Sequence, residues 1–185
     1  MVLVSLLRGV NMGPHHRIHM ADLKAVYESL GLRDIETYIQ SGNVVFRTAA
    51  RSPGRIAADI EEAVERRFGF RAPVAVRSAA ELRRVVERNP FAGRQGIEPK
   101  RLAVHFLAAE PDAAAPARLR ALPPAPEEVR LDGRELYIYF TNGMARPKLS
   151  MAQVEKAVAV SGTARNWNTV EKLLEMAERL EGAAR

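Results

Sequence analysis

The chain has 185 residues, 47% of them hydrophobic and none of them cysteine, so it can bury a core without staples and has no disulfide, thiolate nucleophile or cysteine-ligated metal. Its formal charge is +6 and its pI about 10.0, a balance that favours anionic partners; yet only five of the 28 basic residues are lysines, and Glu61, Glu62, Glu65, Arg66 and Arg67 alternate sign as on a solvated helix face. The apolar start, Met1 to Leu7, lacks a basic lead and meets Arg8 too soon for a signal sequence or a membrane span, so the expectation is a cytoplasmic protein with no membrane segment.

Residues 2 to 8 read as a buried strand, and the glycines and proline of 9 to 14 take the chain out of it as a loop. Leu23, Val26, Tyr27 and Leu30 recur at helical spacing, with Gly31 placed for a left-handed cap. A hairpin over 35–47 follows, its corner Gln40-Ser41-Gly42-Asn43; Ile39, Val44 and Phe46 are expected on the core side, Tyr38 and Val45 on the other, and positive φ at Gly42 or Asn43. Ser52 and Pro53 open a helix striped by Ile56, Ile60, Val64 and Phe68, and 73–78 makes a fourth strand. Ser78 and Glu81 form a capping box for a helix that stops at Asn89-Pro90.

After a basic, glycine-containing connection the order recurs: a strand over 102–107, a short helix over 113–122, and a hairpin over 129–140 with a type I′ corner at Asp132-Gly133. A loop follows over 142–149, then a helix capped by Ser150 and Gln153, a short closing strand at 163–166, and a last helix capped by Asn168 and Glu171. The expected fold is therefore α+β: two ferredoxin-like, split β-α-β halves with antiparallel sheets, spanning 1–88 and 102–185 and joined by 89–101, the second half carrying an extra C-terminal helix.

In that topology the exit of the first strand and the hairpin corner share one end of the sheet. Arg8, Asn11, Gln40, Ser41 and Asn43 then gather near the N-terminus of the first helix, where free amides favour an anion. Lys148 shares the corresponding end of the second half with Arg165 and Asn166. The competing reading is turn chemistry, with Asn11, Ser41 and Asn43 serving local backbone and Arg8 pairing with Asp34 or Glu36. His15, His16 and His19 lack a carboxylate or further histidine at metal-ligand spacing, so no metal is assigned. No Gly-x-Ser-x-Gly elbow, dinucleotide fingerprint or Walker loop occurs, and no cofactor is called for. Trp167 reads as an anchor for the last helix rather than a stacking platform.

Leu6-Leu7-Arg8-Gly9-Val10-Asn11-Met12-Gly13, Met20-Ala21-Asp22-Leu23, Tyr38 through Phe46, Asn89-Pro90-Phe91, Lys148-Leu149 and Thr163 through Thr169 together resemble the bacterial domain-of-unknown-function family 1697. The resemblance implies a bacterial, cytoplasmic α+β protein of two ferredoxin-like halves with no established activity. The chain departs from it at His15-His16 and at Arg146-Pro147. The functional expectation is a binding protein whose polar loops hold an anionic small molecule or a nucleic-acid backbone. Two alternatives stand beside it: an enzyme using the same loops as an anion hole with Lys148 in proton transfer, and an interaction module working through a sheet edge or the Phe91 loop.

Overall fold

The computed structural model describes residues 1–49 and 52–183. Its chain clusters into two compact units, Met1–Arg84 with Glu171–Arg185, and Val85–Val170. Each holds a four-stranded antiparallel sheet.

In the first unit β1 (Val2–Leu7) is followed by α1 (Met20–Ser29), β2 (Arg33–Tyr38), β3 (Asn43–Arg47), α2 (Pro53–Phe68) and β4 (Val74–Ser78), and the strands stand in the order β2-β3-β1-β4. This is the split β-α-β arrangement, with β3 antiparallel between β1 and β2. One face of the sheet packs on the helices: Leu3, Leu7, Val44 and Phe46 meet Leu23, Val26 and Tyr27 of α1 and Ile56, Ile60 and Val64 of α2 in one cluster. The helix ends follow their caps. Ser52 Oγ accepts from Arg55 N–H at 3.3 Å and Pro53 takes the first turn, while α1 closes as Gly31, at φ +74°, donates to Glu28 O. The capping box at the start of α3 (Ala79–Glu87) is reciprocal: Glu81 N–H donates to Ser78 Oγ (3.1 Å) and Ser78 N–H to Glu81 Oε2 (2.8 Å). The last helix, α6 (Trp167–Gly182), returns to this sheet, with Arg47 Nη2 donating to Leu180 O at 2.7 Å and Arg179 paired with Glu36.

The second unit repeats the plan with β5 (Leu102–Leu107), α4 (Ala115–Arg120), β6 (Glu128–Asp132), β7 (Glu135–Tyr139), α5 (Met151–Val158) and β8 (Gly162–Asn166), in the order β6-β7-β5-β8. The echo extends to register. Val4 faces Val45 and Arg77 across its two neighbours, and Val104 faces Tyr137 and Arg165. The next residue of each first strand is polar and buried in its core, Ser5 sharing a 2.7 Å hydrogen bond with Tyr27 and His105 Nε2 lying 3.2 Å from Glu155 Oε1. Gly162 makes room for that imidazole, since a Cβ there would stand 2.8 Å from His105 Nε2 and 2.4 Å from Phe106 O. The segment before β5 is packed down: Phe91 is buried against Tyr139, with the Arg94 guanidinium 5.1 Å over its ring.

Three local expectations are corrected. In the β2–β3 corner Gly42 takes positive φ (+71°) as expected, but Ile39 does so as well (+48°), and it is 52% exposed rather than facing the core. In the β6–β7 hairpin the loop residues are Gly133 and Arg134, with positive φ on Gly133 alone, which is the pattern of a type II′ turn. The cap of α6 is Asn166, whose Oδ1 accepts from Asn168 N–H at 3.1 Å, because the helix begins at Trp167. Trp167 itself is buried.

Candidate anion-binding site

The first loop cluster is assembled by Asn11. Its backbone sits at φ +57°, a region that asparagine tolerates, and its amide side chain makes three bonds. Oδ1 accepts from Ile18 N–H (2.8 Å), while Nδ2 donates to Ile18 O (2.9 Å) and to Gln40 O (2.7 Å). The loop between β1 and α1 is thereby closed on itself and clasped to the hairpin corner, where Leu7 N–H donates to Gly42 O at 2.9 Å. Gly42 is required at that approach, since a Cβ would lie 2.8 Å from Leu7 Cβ.

Asn43 is fully buried and also serves the corner, with Nδ2 donating to Tyr38 O (3.1 Å) and to Ser41 Oγ (3.0 Å). Gln40 is exposed, and Ser41 and Arg8 are half-buried. Asp34 pairs with Arg47 at 2.8 Å and Glu36 with Arg179, and the backbone N–H of Arg8 donates to Pro73 O at 2.8 Å.

Around the clasp lies a hollow of about 270 Å³ lined by Asn11, Gly13, Arg17, Ile18, His19 and Gln40. His19 is the N-cap residue of α1 but makes no side-chain cap bond, so the opening amides of the helix face this end without a protein acceptor from the cap. Asp22, the acidic residue of that first turn, is directed to Arg67 at 3.4 Å. Arg17 and His19 are exposed, and among the described residues no carboxylate pairs with either. Sequence reasoning passed over Arg17 because its loop has no periodicity, and it considered His19 only as a metal ligand. The signal that was available is position: both immediately precede the first turn of α1. Among the described residues no group of three or more His, Cys, Asp or Glu is placed to hold a metal ion.

In the second unit the three candidate residues have different surroundings. Lys148 has an exposed side chain; its backbone N–H and that of Leu149 donate to the buried Glu127 carboxylate at 2.9 and 3.1 Å. Arg165 is 8% exposed, donates to Thr163 Oγ1 and Ala164 O at 2.8 Å each, and burial pulls its guanidinium down to about 10, still charged at neutral pH. Asn166 is occupied on both sides of its amide, capping α6 through Oδ1 and donating through Nδ2 to Lys100 O (3.1 Å) and Leu102 O (3.3 Å).

The protein is thus a duplicated α+β fold with a clasped, basic loop at one end of its first sheet. Residues 1–137 match the family described as a protein of unknown function, DUF1697, and the chain belongs to that family. Among solved structures it is similar to the conserved bacterial protein SP0830 from Streptococcus pneumoniae, with 21% identity, a TM-score of 0.69, and coverage of 95% of this chain and 98% of that one; at that identity the likeness shows the fold. No curated protein matches the chain. Among the described residues no helix is long and apolar enough to cross a membrane.

Proposed function

We propose that the protein binds a small anionic ligand, a phosphate or a phosphate ester, at the clasped loop of the first sheet. The observation that carries the reading is that His19, the N-cap residue of α1 with no side-chain cap bond, and Arg17, without a carboxylate partner, line one hollow. A helix N-terminus next to a guanidinium provides directed donors and charge together, the combination that oxyanions require. In this reading Arg17 and His19 supply charge, Gln40 and Ser41 add polar contacts, and Asn11 and Asn43 fix the loops.

Thermal unfolding in phosphate, sulfate and AMP, with chloride at matched ionic strength as reference, tests it on wild type, Arg17→Ala and Arg8→Ala. A ligand at about 100 times its dissociation constant adds roughly 2.7 kcal/mol of stability. The expected result is a phosphate-dependent rise in Tm that disappears in Arg17→Ala. No rise with any of the three, or an equal rise in Arg17→Ala, refutes the proposal.

A further inference from the structure

A second surface lies in the other unit. Strand β6 is an edge of its sheet and pairs with β7 over five consecutive rungs without interruption, whereas the corresponding edge β2 is broken by a register shift between Arg33 and Glu36 with Asp34 at φ +50°. A bulge is one way to blunt an edge against strand addition, and β6 lacks it. Because the hairpin loop has two residues, Asp132 and Glu135 form the closing hydrogen-bonded pair, and the alternation of an antiparallel ladder turns the N–H and C=O groups of Val129 and Leu131 outward. Among the described residues, what meets that outer side is the strand's own Arg130, whose Nη1 donates to Val129 O at 3.0 Å.

Beside the edge is a groove of about 690 Å³ floored by Leu119, Leu122, Val129, Leu131 and Leu149. Here α4 has six residues where α1 has ten, and Leu119 and Leu122 are only partly buried against the core. By strand alternation the side chains of Val129 and Leu131 stand on the groove's side of the sheet and those of Glu128, Arg130 and Asp132 on the other, Arg130 and Asp132 also bordering the groove at the strand's edge. There the charges are engaged unequally. Arg94 holds both oxygens of Glu128 (3.0 and 2.9 Å) and Arg88 holds Asp132 (2.7 Å), which leaves Arg130 sharing Glu128 Oε2 at 3.3 Å.

We infer that β6 takes up an extended segment of a partner protein by strand addition, with two apolar residues of that segment in the groove and an acidic residue between them opposite Arg130. The incoming N–H replaces the Arg130 guanidinium on Val129 O, and the incoming carboxylate receives that guanidinium. A second copy of β6 is a poor occupant. The two-fold register that matches both apolar pairs sets Arg130 against Arg130 and Glu128 against Asp132, and like charges directly opposite one another are unfavourable.

The test is amide hydrogen exchange by NMR on the whole protein with the peptide acetyl-Thr-Val-Glu-Val-Thr-amide and its central-lysine counterpart. The glutamate peptide is expected to slow exchange at Val129 and Leu131 by about tenfold or more, the lysine peptide to leave it unchanged, and Arg130→Glu, an exposed substitution, to reverse the preference. Absence of protection with either peptide, equal protection with both, or protection that grows with protein concentration in the absence of peptide each overturns the inference, the last in favour of a second copy.

Discussion

Asn11→Ala tests whether one side chain builds the loop end of the first sheet. The substitution removes three hydrogen bonds of 2.7 to 2.9 Å, each contributing about 0.5–1.5 kcal/mol net. Because the site is partly exposed, water re-forms some of what is lost, so these bonds together account for about 2 kcal/mol. Alanine at φ +57° adds roughly 1 kcal/mol of backbone strain. The total of about 3 kcal/mol corresponds to a fall in Tm of about 6–12 °C for a chain of this length. Calorimetry on the wild type and three variants separates the contributions. Asn11→Gly removes the bonds but not the left-handed tolerance, and should recover about 1 kcal/mol relative to alanine. Asn11→Asp keeps the acceptor for Ile18 N–H but turns a charged oxygen toward two carbonyl groups, and should be no better than alanine. An Asn11→Ala protein melting within about 2 °C of wild type would show that the loop is held by other contacts, and would remove the basis for treating Asn11 as the residue that fixes it.

Gly42→Ala places a methyl group 2.8 Å from Leu7 Cβ on a backbone at φ +71°, and should cost about 2–4 kcal/mol from overpacking and strain combined; urea unfolding should show a lower midpoint with unchanged slope, and an unshifted midpoint would refute the close approach. For Glu128, hydrogen bonds from Arg94 are the main cause of a carboxyl pKa below its ordinary 4.5. A lowered folded-state value means the unfolded chain binds more protons in that range, so this contribution is present above about pH 4.5 and is lost as the pH falls through the folded value. Tm measured from pH 6 down to pH 3 should therefore decline less steeply in Glu128→Gln than in wild type, and parallel curves would show that the pair is too well solvated to matter.

The topology was legible because the apolar residues of each strand and helix keep their own period: Ile56, Ile60 and Val64 in α2, and the run from Leu102 to Leu107 in β5, lead directly to what each buries. Caps were legible where a Ser or Thr precedes a helical stripe, as at Ser52, Ser78 and Ser150. Asn166 was missed as a cap because the choice between two asparagines, two residues apart, depends on whether Trp167 belongs to the helix, and tryptophan at a first helical position has no signature of its own. Ile39 was misplaced for a different reason. Alternation assumes an extended backbone, and a β-branched residue at positive φ breaks that assumption where the corner must turn. Arg165 looked like a surface ligand because charge in a sequence implies exposure, whereas its strand position carries it inside. The roles of Asn11 depend on carbonyls at residues 18 and 40, and no local pattern encodes such a meeting.

The division of the chain also sets an order in time. The segment 85–170 is contiguous, so every residue of the second unit has been made before the ribosome adds Glu171. The first unit begins with the earliest strand yet includes the final helix, whose Leu180 carbonyl receives Arg47 and whose Arg179 pairs with Glu36. On the ribosome the sheet synthesised first is therefore completed only after the second unit has been made, and until α6 emerges β2 and β3 lack these helix partners and are open to pairing with other strands.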